Sequence, residues 1–177
     1  MPSVAGNQPD AGVPARIERY GARVLLLDDE GRLLLVRGHD PHQPERSFWF
    51  TPGGGIEPGE GVREAAVREL AEETGYVLEP HELQGPVWRR TAVFDFASRP
   101  YTQHEEIFVG RLADAERRDR TEAVFTQDEE EALDEVAWLS NAEVRAESRE
   151  VFPDVLRQPW AFANWDGVTS DLGTVDE

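Results

Sequence analysis

Cysteine and lysine are both missing from this chain of 177 residues, whose 18 basic side chains are all arginine. Without cysteine the protein has no disulfide framework and no thiolate zinc site, and its redox compartment stays undetermined. Without lysine it has no amine nucleophile for Schiff-base chemistry. The sequence also has no apolar run of about 18 residues, the length that predicts a transmembrane helix. These absences close several catalytic routes and predict a protein that does not enter a membrane.

The first residues carry none of the features of a secretory leader. Residues 1–15 have no basic start and no apolar core, and they are rich in proline, glycine and alanine. This composition predicts a disordered tail. We therefore expect a soluble, cytoplasmic protein with a tail over 1–15, one domain over 16–150 and an extension over 151–177 that is disordered from about Val168.

Charge limits the partners that the protein can bind. The net charge is −18, from 36 acidic and 18 basic residues. Such a field repels long polyanions and predicts no binding of long nucleic acid. A small polyphosphate is different, because a metal ion and a few local arginines can overcome the field at one site. A small-molecule ligand is therefore the expected partner.

The most informative stretch covers residues 54–76, GGIEPGEGVREAAVRELAEETGY. On a helix, Glu69, Glu72 and Glu73 fall within one arc of about 100°. Like charges at this spacing destabilise a helix by roughly 0.2–0.5 kcal/mol per pair, so a cation should complete the face. A hard divalent ion fits, because Mg²⁺ takes oxygen ligands and bridges to substrate phosphates. Ala65, one turn earlier, leaves room for the metal and a phosphate.

This stretch resembles the signature box of the Nudix hydrolases, G-x5-E-x7-R-E-U-x-E-E-x-G-U, in which U is a bulky apolar residue. The box covers 23 of the 177 residues. Seven fixed identities at a background of about 1/15 each would coincide roughly once in 10⁸ start positions. Only the last position departs, with tyrosine where an aliphatic residue is usual. The positions are filled by Gly54, Glu60, Arg68, Glu69, Leu70, Glu72, Glu73, Gly75 and Tyr76.

The resemblance implies a hydrolase that needs Mg²⁺ or Mn²⁺ and cleaves the pyrophosphate linkage of a nucleoside diphosphate joined to another group. It assigns the metal site to Glu69, Glu72, Glu73 and Gly54. The glutamate that matches Glu69 often serves as general base in the family. Small enzymes of this kind often pair, so a homodimer is a candidate assembly.

The same resemblance gives two residues a supporting role. The family's counterpart of Arg68 orients a neighbouring glutamate and belongs to the catalytic set. Its spacing agrees, because Arg68 lies four residues before Glu72 and is placed to hold that carboxylate by a charge-assisted hydrogen bond. The counterpart of Glu60 is a structural or outer partner of the metal site.

Three hypotheses about the substrate and activity remain open. A nucleoside triphosphate leads, a nucleotide sugar such as ADP-ribose follows, and a nucleotide-sensing domain without turnover is the alternative from another class. Some 15 to 18 residues past the box, ADP-ribose members carry a proline and dinucleoside-polyphosphate members a tyrosine. Residues 89–94 contain neither, which counts against both of those classes.

Several residues outside the box are weaker candidates for substrate binding. Arg37 ends a predicted strand and is placed to bind a phosphate, although a surface ion pair is the simpler reading. His39 lies in the polar loop that follows. On the strand of residues 48–50, either Trp49 or Phe48 faces away from the core and is placed to stack on a base.

Two acidic groups could add a metal ligand or a base. Glu105 and Glu106 stand next to each other on a predicted strand, so one of them points inward, and Glu106 is the candidate for substrate binding. Residues 128–131 form an acidic run before the last predicted strand. Some family members place a further ligand or base there, and Glu129 and Glu130 are the candidates here.

The remaining pattern predicts an α/β fold of the Nudix type, an α/β/α sandwich with a mixed β-sheet. Gly75 is a suitable residue to end the box helix. A capping box opens a second helix at Ser140. The predicted strands cover residues 22–27, 32–37, 48–50, 87–97, 101–112 and 135–139, and the predicted helices cover 61–74, 141–148 and 151–157.

Overall fold

The computed structural model describes residues 15–113, 123 and 132–177, and within these ranges it is a mixed α/β fold. Helix α1 spans Val62–Thr74 and helix α2 spans Asn141–Ala146, and two 3₁₀ turns lie at Pro80–Glu82 and Asp154–Arg157. The strands are β1 Ile17–Leu27, β2 Leu33–Asp40, β3 Gln43–Phe50, β4 Gly53–Gly55, β5 Gln84–Phe96, β6 Arg99–Arg111, β7 Leu133–Leu139, β8 Glu150–Phe152 and β9 Ser170–Asp176.

The strands belong to one hydrogen-bonded sheet with the order β8-β3-β2-β1-β6-β5-β9. In addition, β4 pairs with β1 and β7 pairs with β2. The pairs β1–β6, β3–β8 and β5–β9 are parallel, and the other pairs are antiparallel. The predicted mixed sheet is therefore confirmed, including the first hairpin, in which Leu27 lies opposite Leu33.

Strand β1 is central because both of its faces are buried. Val24 and Leu26 lie in one apolar cluster with Leu70 of α1. Leu25 lies in a second cluster on the other side, together with Ile107 of β6. A strand that is covered on both faces is expected to be a nearly continuous apolar run, as residues 22–27 are. Through this strand, α1 is anchored to the middle of the sheet.

Helix α1 has the bounds that the sequence predicts. At its start, the Gly61 N–H donates to Glu64 Oε2 at 2.8 Å, which satisfies one of the unpaired amides of a first turn. At its end, Gly75 takes the left-handed conformation with φ 77°, which glycine adopts without steric cost. The helix bounds are therefore fixed on both sides of its acidic face, which is formed by Glu69, Glu72 and Glu73.

Helix α2 begins at the predicted capping box but ends earlier than predicted. The Ser140 side chain accepts a hydrogen bond from the Glu143 amide, and the Glu143 side chain accepts from the Ser140 amide. The helix ends at Ala146 rather than at Ser148. There, Arg157 donates to the carbonyls of Val144 and Glu147, both at 2.9 Å, and so satisfies the acceptors of the last turn.

The C-terminal part differs from the prediction. Instead of a helix over 151–157, a short strand (β8) runs parallel to β3 and a 3₁₀ turn follows. Instead of disorder from Val168, β9 runs parallel to β5. A mostly exposed strand gains order from backbone pairing with an existing edge, and a polar sequence does not signal this. Residues 1–14 lie outside the described ranges, and the division into tail, domain and extension stays a prediction.

Among the described residues, no helix has both the length and the hydropathy needed to cross a membrane.

Candidate functional site

A glycine turn and α1 bring backbone and carboxylates into close contact. The Gly53 N–H donates to Glu73 Oε2 at 2.8 Å. Gly53 has φ 145°, which side chains rarely adopt, and a Cβ there would lie 2.3 Å from the carbonyl oxygen of Ala22. A Cβ on Gly54 would lie 2.6 Å from the carboxyl carbon of Glu69. Both positions therefore require glycine for the turn to lie against the acidic face.

Arg68 organises the carboxylates of the box. Its Nε and Nη2 donate to the two oxygens of Glu60 at 2.8 and 3.0 Å. Its Nη1 donates to Glu69 Oε1 at 2.9 Å and to Glu72 Oε2 at 3.1 Å, and Nη2 also reaches the Gly55 carbonyl at 2.9 Å. The predicted contact between Arg68 and Glu72 is thus present in the structure. The hydrogen bonds from Arg68 lower the pKa of Glu60.

The three glutamates of the predicted face differ in exposure. Glu69 and Glu73 are 8% and 5% exposed, whereas 40% of the Glu72 side chain is exposed. In the ranges that the structure describes, no three acidic or histidine side chains converge on one point. Arg68 lies between Glu69 and Glu72, and Glu73 is turned toward Gly53. The acidic face is therefore formed, with an arginine as its cation.

Arg37 and His39 are engaged at the surface of β2. Arg37 donates to Glu135 Oε2 through Nε at 3.0 Å and through Nη2 at 2.6 Å, which is the surface ion pair that was the simpler reading. His39 Nδ1 lies 3.0 Å from Asp134 Oδ1. Their contact with substrate stays a prediction.

Trp49 lies in the core rather than at a site for a base. It is 5% exposed, and its Nε1 donates to Glu147 Oε2 at 3.1 Å. Its neighbours Phe48 and Phe50 point the other way and line a cavity. The sequence left Trp49 and Phe48 as alternatives, and the larger ring fills the core because it buries more apolar area.

The inward residue of the Glu105–Glu106 pair is Glu105, and it is occupied by arginines. Its side chain is 1% exposed and accepts hydrogen bonds from Arg23 and Arg90. Glu106 pairs with Arg89 at 2.8 Å on an exposed part of the sheet. Glu105 is therefore held by two arginines, and a role of Glu106 at the substrate stays a prediction. Glu129 and Glu130 lie outside the described residues.

A cavity of about 190 Å³, which the sequence did not predict, is lined by residues of β1, β3, β5, β6 and β8. Gln103 and Glu105 contribute polar atoms to its floor. Its aromatic lining consists of Phe48, Phe50, Phe94, Phe96 and Phe152. Its arginines are Arg19, Arg23, Arg46 and Arg90. The sequence feature that could have indicated the cavity is phenylalanine at alternate positions of two strands, Phe48 and Phe50 and then Phe94 and Phe96. This spacing places each pair of rings on one face of its strand.

Glu105 is the centre of a buried network at the floor of this cavity. Arg90 Nε donates to Glu105 Oε2 at 2.5 Å, and Gln103 Nε2 donates to Oε1 at 2.6 Å. Arg23 also donates to Glu105, and its Nη1 donates to the Thr51 carbonyl at 2.8 Å. Burial opposes the charge of Glu105, but attraction to Arg23 and Arg90 outweighs it and lowers the pKa to about 2.

Arg23 connects this network to the acidic face. Its Nη1 also reaches the Gly53 carbonyl at 3.2 Å, and the Gly53 N–H donates to Glu73. Attraction to Glu105 and Glu73 keeps the pKa of Arg23 raised although burial lowers it. Arg23, which lines the cavity, is therefore linked through the Gly53 peptide to Glu73 of the acidic face.

Acid is expected to weaken the fold through Glu105. Its pKa in the folded protein is about 2, below the ordinary value of 4.5. A depressed carboxyl pKa contributes stability above the ordinary value, and this contribution is lost as the pH falls toward the folded value. Urea unfolding of the wild type and of Glu105→Gln, between about pH 5 and about pH 2, measures this effect. The difference in unfolding free energy between the wild type and the variant should shrink in acid. A difference that stays constant with pH would contradict the lowered pKa of Glu105.

Several known proteins are similar to this chain. The human 8-oxo-dGDP phosphatase NUDT18 is 33% identical over 106 residues, which are 55% of this chain and 31% of that protein. An RNA pyrophosphohydrolase from Dinoroseobacter shibae is 43% identical over 67 residues, 37% of this chain and 40% of that protein. The matches thus span less than half of the length of these curated relatives.

Solved structures agree on the fold. A NUDIX hydrolase from Nitrosomonas europaea superposes with a TM-score of 0.55 at 24% identity, covering 80% of this chain and 85% of that one. A MutT protein from Methanosarcina mazei Go1 gives a TM-score of 0.53 at 19% identity, covering 78% and 88%. The family model described as the NUDIX domain matches residues 18–158. This match covers most of the chain and all of the acidic face, and the chain therefore belongs to the Nudix family.

Proposed function

We propose that the protein hydrolyses the pyrophosphate linkage of a nucleoside triphosphate with the help of a divalent metal ion. The observation that carries the proposal is the face of α1, where Arg68 holds Glu60, Glu69 and Glu72 beside a glycine turn. A solvated helix laced with ion pairs would not need two of its carboxylates, Glu69 and Glu73, to be buried. Burying acidic groups together is costly unless a cation and hydrogen bonds accompany them.

The Nudix family generally uses divalent metal ions. The donor chemistry fits such an ion, because Glu69, Glu72 and Glu73 supply hard carboxylate oxygens from one helix face. To gather them, the ion would take the place of Arg68 between Glu69 and Glu72 and compete with the Gly53 N–H for Glu73. The absence of a side chain at Gly54 supports the fit, since a Cβ there would press on Glu69. When bound, a divalent ion stabilises the charge of the pyrophosphate oxygens and lowers the pKa of bound water. We assign its binding to these three glutamates, with Gly54 beside them.

The side chains around the face have separate proposed roles. Arg68 holds the carboxylates of Glu69 and Glu72 in place through one nitrogen, Nη1, and Glu60 anchors the guanidinium from the other side. Glu69, which Arg68 holds through Oε1, takes the proton of the attacking water with its carboxylate. The water attacks one phosphorus in line with the leaving oxygen, so that no covalent intermediate with the protein is required.

A nucleoside triphosphate is the proposed substrate, with a nucleotide sugar as the alternative. The names of these two relatives, one a phosphatase of 8-oxo-dGDP and one a pyrophosphohydrolase of RNA, support a nucleotide with a terminal phosphate chain. The net charge of −18 opposes a long RNA strand. The phenylalanine-lined cavity offers rings for stacking. Arg23 of its lining donates to the Gly53 carbonyl, and the N–H of Gly53 donates to Glu73. We assign the nucleobase to this cavity.

A phosphate-release screen tests the proposed function. The panel contains the canonical triphosphates, 8-oxo-dGTP, 8-oxo-dGDP, ADP-ribose and a dinucleoside polyphosphate, each with Mg²⁺, with Mn²⁺ and with chelator. We expect turnover of a triphosphate that the chelator abolishes. Turnover of ADP-ribose alone would select the alternative substrate. Tight binding of one member without hydrolysis of any would replace the enzyme by a nucleotide sensor.

Gly54→Ala is expected to lower activity by about tenfold or more. The added methyl carbon would lie 2.6 Å from the carboxyl carbon of Glu69, so this side chain or the turn must shift. A displacement of about 1 Å at a catalytic group can cost about 100-fold in rate. Steady-state kinetics on the best substrate of the panel measures the loss. Gly55→Ala is the control, because a Cβ at Gly55 meets no atom within 4 Å and its φ lies outside the left-handed region. Equal rates for both variants would contradict the assigned contact.

A further inference from the structure

The C-terminal strand delivers a carboxylate to the floor of the cavity. The Glu177 N–H donates to the Val93 carbonyl at 2.9 Å, which continues the parallel pairing of β9 with β5. Its side chain is 11% exposed, lines the cavity and forms an ion pair with Nη1 of Arg90. Arg90 itself is 3% exposed and contacts Glu105 with its Nε. Both carboxylates therefore share one buried guanidinium.

Glu177 sets the charge of the cavity floor. Arg23 and Arg90 bring two positive charges to Glu105, which supplies one negative charge. Glu177 supplies the second negative charge and makes the floor neutral. Of the other charged residues that line the cavity, Arg46 pairs with Glu150 at 2.8 Å, Arg19 lies over the Tyr101 ring, and Asp95 is an exposed carboxylate. Without Glu177, the floor would hold one excess positive charge in a place that is shielded from water, where charges interact strongly.

We propose that Glu177 is a specificity-determining residue that makes the cavity accept an uncharged planar ring and reject an anionic group. Phenyl rings on several walls offer faces and edges for a planar ligand. A cavity of about 190 Å³ is large enough for a single ring, since an apolar cavity of about 150 Å³ holds benzene. The identification of this ring as the nucleobase of the substrate rests on the proposed function; the preference for an uncharged ring does not.

The proposal predicts that binding of two matched probes depends on Glu177. Benzamide and benzoate have the same shape, but only benzoate is anionic at neutral pH. We expect the wild-type protein to bind benzamide at least about tenfold more tightly than benzoate, a difference of about 1.4 kcal/mol. In Glu177→Gln, the affinity for benzoate should rise at least about tenfold, because the floor gains one net positive charge. Protein-observed NMR titrations measure both affinities, and the amides of Phe50 and Gln103 report on the site.

Asp176→Asn is the matched control. It removes one negative charge from the preceding residue of β9, which does not line this cavity. The control should keep the preference for benzamide. The proposal is overturned by equal binding of the two probes to the wild type, by absence of binding of benzamide at the cavity, or by the same gain for benzoate in both variants. Because no probe contains a phosphate, a protein that selects benzamide but hydrolyses no nucleotide would retain this role of Glu177 and lose the proposed function.

Discussion

Replacing Glu73 with glutamine is expected to lower kcat by at least about 100-fold while the fold stays intact. Glutamine removes the negative charge that a divalent ion requires. Metal stabilisation of the transition state contributes several kcal/mol, and each loss of about 1.4 kcal/mol lowers the rate tenfold. Glutamine still offers Oε1 to the Gly53 N–H, which donates to Glu73 in the native protein at 2.8 Å. The unfolding free energy should therefore change by no more than about 1 kcal/mol.

Initial rates at saturating substrate and Mg²⁺, together with urea unfolding, measure the two effects of this substitution. Glu64→Gln is the control on the same helix. Glu64 accepts a hydrogen bond from the Gly61 amide in the first turn, and glutamine can do the same. The control should keep the wild-type rate. Full activity in Glu73→Gln would remove this residue from the metal site and undermine the assignment of the acidic face.

Glu105→Gln is expected to destabilise the protein by about 3–5 kcal/mol, the usual cost of removing one partner of a buried ion pair. Glu105 and Arg90 have side-chain exposures of 1% and 3%, so water cannot replace the lost charge. Arg90 would then keep Glu177 as a counter-charge, and Arg23 would keep its longer-range attraction to Glu73 and Glu177. The substitution keeps the size of the side chain, so the loss reports charge rather than packing. Urea unfolding near neutral pH measures it.

The neighbouring residue provides the control for this prediction. Glu106 forms an ion pair with Arg89, which is 58% exposed, and such surface pairs contribute about 0–1 kcal/mol. Glu106→Gln should therefore change the unfolding free energy by less than about 1 kcal/mol. Similar losses for the two variants would contradict the view that Glu105 is the buried centre of the network.

Local patterns were enough to predict the elements that position the acidic face. The apolar run of residues 22–27, the box helix and the long strands around residues 87–112 all had the expected periodicity, and the structure places them close to the predicted bounds. The capping box at Ser140 was also readable, because it is a local pattern of side chains. Strand β9 was not, since its order comes from pairing with β5 far away in sequence.

The acidic face could be predicted from the sequence, whereas the cavity could not. The face lies on one helix, so the spacing of Glu69, Glu72 and Arg68 was sufficient to place these side chains together. The cavity collects residues from five strands and from Glu177, and no short-range pattern brings them together. Alternation also could not decide which of two neighbouring residues faces inward. That choice depends on the register of β6 against β1 and β5, which places Glu105 between Arg23 and Arg90.

The proposed mechanism requires a divalent metal ion on the acidic face of α1. Electron paramagnetic resonance of Mn²⁺, titrated into the wild-type protein and into the Glu72→Gln/Glu73→Gln variant, tests this requirement. The free-ion signal measures free Mn²⁺, and the bound Mn²⁺ is the difference from the total. The measurement does not depend on knowing the substrate. We expect the tightest site of the wild type to weaken at least about 100-fold in the variant, because two anionic ligands are lost. An unchanged affinity in the double variant would contradict the metal site and the mechanism built on it.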